Sequence, residues 1–431
     1  MGGDRHRIPG ERHRPHRERS VGSDHGGARR PHQEGRAVSR ALAGLRVIDA
    51  SRLIAGGVLA TMLADHGADV IKVENPRGGD PMRTWLGERG QLWWKVYARG
   101  KRSATLNLTH PRGQDLLKRL VGDADVFVEN FVPGTLEKWG LGQEVLLGLN
   151  PRLVVARVSG WGQDGPYRDR PGFGTMVEAM SGFAVTTGPA DGPPTLPAFP
   201  LADMVAALAG ATAVLAALHH RDQVSGHGQV VDISLYEPLL SVLGPDAARY
   251  ALDGTVRTRQ GNRSDNASPR GTYRTRDGQW VALSASTPAS AVALFTNLGL
   301  GHLLDDPRFA TNDMRVRHND VVDAALTEAI GARSLGAMQQ LFAASDLTAS
   351  PVYDIADVTR DPHVVARGIL LDVPDPELGT VRMVAPTPRL SDTPPAVDWT
   401  GPALGAHNHG VYGALGLSTA EIDALTREGV I

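Results

Sequence analysis

The strongest constraint on the fold is a repeated alternation of short β-branched runs with helix-forming stretches. Leu45–Asp49 is such a run, an Ala- and Leu-rich stretch follows it, and Ala68–Glu74 is a second run. A predicted helix over Gly113–Leu120 and strands at Val126–Val128 and Leu153–Arg157 continue the pattern. Parallel strands need a long crossover, usually a helix, so the pattern predicts strand–helix–strand units. We therefore expect an α/β fold with a Rossmann-like, doubly wound parallel sheet in its large domain.

The chain has 431 residues, which is too long for one ordinary core, so we expect an internal division. Residues 1–40 contain few apolar side chains and are predicted to be a disordered tail, whose irregularly spaced histidines do not suggest a metal site. Residues 41–225 are predicted to form the N-terminal part of the large domain. Hairpin-like signals favour a smaller α+β domain over residues 226–345, and residues 346–431 are expected to return to the large domain.

Composition excludes several classes of function. The formal net charge of −2 lacks the basic excess of a nucleic-acid or anionic-membrane binder. The absence of cysteine excludes disulfides, thiolate nucleophiles and cysteine-ligated metals, so any catalysis must use oxygen or nitrogen groups. The chain has neither an uninterrupted run of about 18 apolar residues nor a secretory signal, so we predict a cytoplasmic protein.

The first strand–helix–strand unit ends in an acid, Glu74, as in proteins that bind nicotinamide dinucleotides. The loop Ser51–Gly57 lacks the Gly-x-Gly-x-x-Gly that lets backbone amides close on a pyrophosphate. A nicotinamide-dependent dehydrogenase is therefore disfavoured.

A series of short motifs occurs in a fixed order along the chain. They are Leu42–Asp49, Gly67–Glu74, Glu129–Gly134, Ser159–Pro166, Gly226–Ser234, Asp306–Phe309, Asp361–His363 and Leu404–His407. Together they resemble class III CoA-transferases, a superfamily that includes formyl-CoA:oxalate and carnitine CoA-transferases and α-methylacyl-CoA racemase, from about Leu42 to Ile431. The resemblance implies an interlocked homodimer, with coenzyme A or acyl-CoA as substrate and no permanently bound cofactor or metal.

The same resemblance assigns CoA contacts to a set of loop residues. They are Leu53, Ile54, Asn75, Leu106, Asn107, Leu108, Thr109, Asn130, Phe131, Val132, Lys138, Ser159, Gly160 and Gly174. Lys138 matches a phosphate-binding basic residue, whereas Asn75 stands where some relatives carry arginine, so that contact is lost or passes to Arg77. The alternative for the apolar members is ordinary core packing, and for Lys138 a solvated helix face.

The residue that matches the family nucleophile is missing. Family transferases attack the thioester with an aspartate carboxylate, and this chain has Gly174 at that position. The racemase branch uses a preceding histidine, here Phe173, with a second aspartate, here retained as Asp203. Gly174 itself would let backbone amides approach the thioester oxygen, which is an oxyanion-hole role.

Two carboxylates are candidates to replace the nucleophile. If a helix begins at Gly174, Glu178 lies one turn later and its side chain leans back over that glycine. Asp203 lies in the first turn of a helix predicted over Leu201–Leu218. Each has a plain alternative as an acid near a helix N-terminus, where the helix dipole favours negative charge.

The sequence therefore predicts an acyl-CoA:carboxylate CoA-transferase with an altered nucleophile, acting on an acyl-CoA and a carboxylic acid. One alternative is an acyl-CoA racemase, isomerase or other thioester enzyme that uses Asp203 as its base. Another is a non-catalytic CoA-binding subunit that pairs with an active paralogue in a heteromer. No nucleic-acid or membrane partner is expected.

Overall fold

The computed structural model of the chain describes residues 40–85, 87, 90–345 and 347–431. The predicted tail, including its histidines, lies outside the described residues; its last residue, Arg40, is described. The strands are β1 (Arg46–Asp49), β2 (Asp69–Glu74), β3 (Lys101–Thr105), β4 (Val126–Glu129), β5 (Val154–Ser159), β6 (Val230–Ser234), β7 (Arg270–Arg274), β8 (Trp280–Ser284), β9 (Ala349–Pro351), β10 (Leu370–Asp375) and β11 (Gly379–Val384).

The α-helices of the first half are α1 (Ala55–Asp65), α2 (Gly90–Tyr97), α3 (Pro111–Gly122), α4 (Thr135–Lys138), α5 (Gln143–Leu149), α6 (Gly174–Met180), α7 (Phe183–Thr186) and α8 (Leu201–His220). Those of the second half are α9 (Tyr236–Ser241), α10 (Asp246–Asp253), α11 (Pro288–Leu298), α12 (Asn312–Arg317), α13 (Asn319–Gly331), α14 (Leu335–Ala343), α15 (Ile355–Arg360), α16 (Pro362–Ala366), α17 (Asn408–Ala414) and α18 (Thr419–Arg427). Short 3₁₀ helices span Pro81–Arg83, Gly301–Asp305 and Pro307–Phe309, and a π-helical turn, Arg221–Ser225, extends α8.

A six-stranded parallel sheet with strand order β3-β2-β1-β4-β5-β6 forms the main layer. Val47 of β1 pairs with Val70 of β2 on one side and with Val126 of β4 on the other. The strand order reverses between β1 and β4, and ligands of doubly wound proteins bind outside the carboxyl ends of the strands at that point. The predicted α/β, doubly wound parallel sheet is confirmed.

Helices bury both faces of this sheet. Alternate residues point to opposite faces, so Val47 packs in a core with α1 and α8, and Ile48 packs in a second core with α3 and the C-terminal helices. Tyr412 and the terminal Ile431 belong to that second core. The C-terminal segment therefore contacts the large sheet.

Helix α8 is the longest helix of the described chain and it packs closely on α1. A β-carbon on Gly210 would lie 2.7 Å from Leu59 Cδ1, so the glycine permits the close approach. Within the segment Leu201–Ser225 an 18-residue stretch has a mean hydropathy of 2.0, so the segment is long and apolar enough to cross a membrane by length and composition. The sequence did not point to this segment, because isolated polar residues interrupt an otherwise Ala- and Leu-rich helix and no uninterrupted apolar run results. Its inward face packs in the protein core.

A smaller antiparallel sheet, β7-β8-β9, has a separate core formed with α11, α13 and α14, and confirms the predicted α+β element. The predicted hairpin is present, with Tyr273 opposite Val281. Strands β10 and β11 form another antiparallel pair. The predicted domain boundaries stay predictions. Strand β6, which belongs to the large sheet, begins just after the boundary predicted at residue 225.

Candidate functional site

Loops that follow the strands of the large sheet line two adjoining cavities at its carboxyl edge. The Asp203 cavity, of about 300 Å³, is lined by Arg52, Leu53, Ala55, Pro81, Asn130, Val132, Val158, Ser159, Gly160, Gly172, Phe173, Asp203 and Leu235. The Asn107 cavity, also about 300 Å³, is lined by Ala50, Arg52, Lys72, Val73, Glu74, Asn75, Arg77, Gly79, Asp80, Pro81, Leu106, Asn107, Leu108, Thr109, Phe131 and Trp139. Arg52 and Pro81 line both cavities, so the two form adjoining parts of one candidate site.

The loop after β1 has an unusual backbone at Leu53, whose φ of 59° lies in the left-handed region. The Asp80 carboxylate supports it by accepting a hydrogen bond from the Leu53 N–H at 3.1 Å. Asp80 in turn pairs with the buried Lys72, whose Nζ lies 3.1 Å from Asp80 Oδ2. A buried ion pair therefore fixes the loop that turns Leu53 toward the Asp203 cavity.

That ion pair belongs to a buried group of charges below the cavities. Burial alone would lower the pKa of Lys72, but the Asp49 and Asp80 carboxylates outweigh burial and raise it. Lys101 Nζ lies 2.8 Å from Asp49 Oδ2. Burial lowers the pKa of Lys101 despite that contact, and the two lysines keep the pKa of Asp49 below its usual value against its own burial. Each buried charge has a partner, as burial requires.

Asn130, in the loop after β4, holds the backbone of Arg52. Its Oδ1 accepts from the Arg52 N–H at 2.7 Å, and its Nδ2 donates to the Arg52 carbonyl at 2.7 Å. The guanidinium of Arg52 lies over the ring of Phe131, 5.3 Å from its centroid, and Trp139 meets that ring edge-on. The contacts bridge the two loops at the point where the strand order reverses.

Asp203 lies directly over Gly174. Gly174 is the first residue of α6, and Asp203 is in the first turn of α8. A β-carbon built on Gly174 would lie only 2.4 Å from Asp203 Oδ2. The Asp203 carboxylate thus occupies the space that a side chain at position 174 would fill, at the wall of a cavity.

Burial raises the pKa of Asp203 from 3.8 to about 6, and the nearby Glu178 carboxylate adds to the rise. The backbone N–H groups of Asp203 and Ala55 oppose it. Ala55 begins α1, so the positive end of that helix dipole also faces the carboxylate. Near pH 7 the group is ionised but more basic than an exposed aspartate.

Glu178 has a different place. It is buried, and its Oε1 accepts a hydrogen bond at 3.1 Å from the N–H of Ala202 at the start of α8. It does not line either cavity. The predicted helix beginning at Gly174 is present, but the carboxylate that lies over the glycine belongs to Asp203.

The structure brings most of the remaining predicted residues together. Leu53, Asn130, Val132, Ser159 and Gly160 line the Asp203 cavity, and Asn75, Leu106, Asn107, Leu108, Thr109 and Phe131 line the Asn107 cavity. Ile54 is buried in the core beside α1, and Lys138 is exposed at the end of α4, so neither lines a cavity.

Sequence reasoning missed Arg52, Pro81, Lys72 and Asp80. The signal for Arg52 was available, since a basic residue in the loop after a predicted parallel strand lies at the edge where ligands bind. Asp80 and Lys72 gave no local signal, because their pairing depends on the fold. Within residues 40–431 as described, no group of three His, Asp or Glu side chains is placed to hold a metal ion.

The chain is similar to known proteins over most of its length. The family described as CoA-transferase family III matches residues 42–408. The chain is 44% identical to succinyl-CoA:D-citramalate CoA-transferase of Chloroflexus aurantiacus over 399 residues, which cover 91% of this chain and 98% of the relative. It is 39% identical to the beta subunit of succinyl-CoA:L-malate CoA-transferase of that organism, covering 92% and 100%. A crystal structure of a CAIB/BAIF family protein from Brucella suis superposes with a TM-score of 0.77 at 34% identity, covering 88% of this chain and 100% of that one.

Proposed function

Because the chain belongs to the class III CoA-transferase family, we propose that it moves CoA from succinyl-CoA or a similar dicarboxylic thioester to a dicarboxylic acid, with Asp203 as nucleophile. The chain is an enzyme of acyl-CoA:carboxylate CoA transfer. The choice of dicarboxylic substrates follows the relatives, which are named for citramalate, malate and glutarate.

One observation carries the proposal for the nucleophile: the Asp203 carboxylate fills the space over Gly174 at the wall of its cavity. The family places an aspartate at position 174. Here the same volume receives a carboxylate from a helix 29 positions further along the chain. A pKa of about 6 suits the role, since the group is ionised near neutral pH yet poorly solvated and basic.

In the first half-reaction an Asp203 oxygen attacks the thioester carbonyl carbon. The carbon–sulfur bond breaks, CoA leaves as the thiolate, and a mixed anhydride of Asp203 and the acyl group remains. The thiolate then attacks the Asp203 carbonyl of the anhydride and releases the first acid as its carboxylate. The enzyme is left as an aspartyl-CoA thioester.

The acceptor carboxylate reverses these steps. It attacks the aspartyl-CoA thioester, the thiolate leaves, and the thiolate then attacks the acceptor side of the new anhydride. One oxygen of the acceptor stays on Asp203 in this sequence. The positive ends of α1 and α8 face the reacting carboxyl group and would stabilise negative charge that develops there. The scheme needs no resident cofactor.

The Asn107 cavity suits the nucleotide end of CoA. Trp139 offers an aromatic face for adenine, and Arg77 offers a cation for phosphate. The two cavities share Arg52 and Pro81, so one CoA thioester would reach from the Asn107 cavity into the Asp203 cavity.

A base of pKa about 6 would also serve the alternative racemase reaction. That reaction needs a second group to deliver a proton, and the corresponding position, Phe173, is a hydrocarbon side chain, 65% exposed. Transfer is the function that needs only one carboxylate.

For the assembly, we propose a cytoplasmic dimer of this chain, with a heteromer as the alternative because two relatives are named as the alpha and beta subunits of succinyl-CoA:L-malate CoA-transferase. No residue of helix α10 is fully buried within the described chain, and its Leu252 is 86% exposed. A partner subunit over this helix would remove that apolar surface from water. Light scattering of the purified chain, alone and at several concentrations, measures the state.

The decisive experiment is oxygen transfer from the acceptor. The protein is turned over with succinyl-CoA and an acceptor acid carrying ¹⁸O in its carboxylates. It is then digested with chymotrypsin, which can cut after Phe183, between Glu178 and Asp203, and examined by peptide mass spectrometry. We expect ¹⁸O in the peptide that contains Asp203 and none in the peptide that contains Glu178. Label on Glu178 would contradict the assignment of the nucleophile.

The Asp203→Asn variant is the control, and it should neither turn over nor acquire label. Exchange of the α-hydrogen with deuterated water, without CoA transfer, would instead favour the racemase reaction. CoA binding with neither signal, in the chain alone, would favour the non-catalytic subunit, and mixing with a paralogue that retains the aspartate would then restore activity.

A further inference from the structure

We propose that Arg52 binds the distal carboxylate of the dicarboxylic acyl group, and thereby sets the substrate class of this enzyme; the inference rests on the proposed function. Arg52 lines both cavities of the site. It was not among the residues predicted from the sequence. Its place on the border follows from its position in the short loop between β1 and α1.

The charge of Arg52 is available to a ligand. In the described part of the chain, its backbone forms two hydrogen bonds with Asn130 and its guanidinium lies on the face of Phe131, while no carboxylate lies within ion-pair distance of that guanidinium. Lys72, a second cation at the Asn107 cavity, is instead committed to Asp49 and Asp80. An arginine that borders a cavity without a protein anion is suited to a bound one.

The lining of the Asp203 cavity points to the same ligand. Arg52 is the cation among the described residues that line it, and Asp203 is the anion. Most other lining side chains are apolar, such as Val132 and Phe173. A second carboxylate on the acyl group would be repelled by Asp203 and attracted by Arg52, so the charge pair orients a dicarboxylic thioester with its carbonyl toward Asp203.

The position of Arg52 is also fixed before a ligand binds. Asn130 fixes the Arg52 backbone from both sides, with two bonds of 2.7 Å, and the Phe131 ring supports the guanidinium. A cation held in this way loses little conformational freedom when it binds an anion. The other anionic source within reach is the pyrophosphate of CoA, which every thioester carries.

The test is equilibrium binding in the Asp203→Asn background, where the thioester stays intact and no turnover is needed. Calorimetry gives the Kd of succinyl-CoA and of butyryl-CoA, which differ in one distal carboxylate, before and after Arg52→Met. We expect succinyl-CoA to bind about 10- to 100-fold more weakly after the change, and butyryl-CoA to change less than about 3-fold. Arg77→Met, in the Asn107 cavity alone, is the matched control and should weaken both ligands equally.

Equal weakening of both thioesters by Arg52→Met would assign Arg52 to the pyrophosphate and overturn the proposal, as would no change in either. Arg52→Lys should recover part of the preference for succinyl-CoA, since it restores the charge without the planar fork. Because the readout is binding, it is independent of catalysis. Absence of CoA transfer by the unmodified protein would refute the proposed function without altering this result.

Discussion

Replacing the proposed nucleophile should make the protein inactive and more stable at the same time. The pKa of Asp203 rises from 3.8 to about 6 in the fold because of burial and of the neighbouring Glu178. A difference of about two units corresponds to roughly 3 kcal/mol at 1.36 kcal/mol per unit. The cavity admits some water to the carboxylate, so we expect Asp203→Asn to raise the free energy of unfolding by about 1 to 3 kcal/mol at pH 7.5.

The stability gained by Asp203→Asn should depend on pH, and the direction of the pKa shift gives the sign of that dependence. A carboxyl group with a raised folded-state pKa is protonated in the fold below pH 6, whereas the unfolded chain ionises above 3.8. The destabilising contribution of ionised Asp203 therefore grows between these values and is complete above pH 6. The gain from Asp203→Asn should be about half as large at pH 5 as at pH 7.5.

Urea unfolding at the two pH values measures the stability change, and a CoA-transfer assay measures activity, which should fall by at least about 10³-fold. A variant that is less stable than the parent at both pH values would refute the electrostatic argument. A variant that retains transfer would refute the role of Asp203.

Three further changes probe the surroundings of the carboxylate. Glu178→Gln keeps an oxygen for the hydrogen bond from Ala202 but removes the negative charge, so the pKa of Asp203 should fall. The acidic limb of the pH–rate profile should then move to lower pH by up to about one unit. An unchanged acidic limb would contradict the electrostatic coupling of the two carboxylates. Gly174→Ala places a methyl group against the carboxylate, so kcat should fall about 10²-fold while the Kd of CoA changes little, and unchanged kcat would show that the carboxylate is not held there. Asp80→Asn breaks a buried ion pair and should cost about 3 to 5 kcal/mol in urea unfolding, against less than about 1 kcal/mol for the exposed-pair control Asp398→Asn; equal costs would contradict the buried pair.

The sheet could be predicted from the sequence because its information is local. Each β-branched run, such as Val70–Val73, is buried on both sides in a parallel sheet, and the runs recur with helical stretches between them. The loops after the strands must then meet at one edge, which is why most residues assigned by resemblance line the two cavities.

The arrangement over Gly174 could not be predicted in this way. It depends on where the first turn of α8 meets the first turn of α6, and no periodicity reports contacts between separate helices. The pair Leu53 and Ile54 could not be told apart from the sequence either. The left-handed backbone at Leu53 turns the Leu53 side chain toward the cavity and leaves the Ile54 side chain in the core. A single backbone angle decided which of two adjacent apolar residues faces the site. The roles assigned to these residues stay predictions.

The close contact of α8 with α1 at Gly210 has a consequence for how such an enzyme changes its substrate. The carboxylate of Asp203, which we propose as the nucleophile, lies on a long helix packed in the core, so its position is set by side chains remote from the cavity. The opposite wall is built from loops, whose Val132 and Phe173 are largely exposed. Substitutions in these loops can therefore change which carboxylic acid is bound, while the Asp203 carboxylate keeps its position.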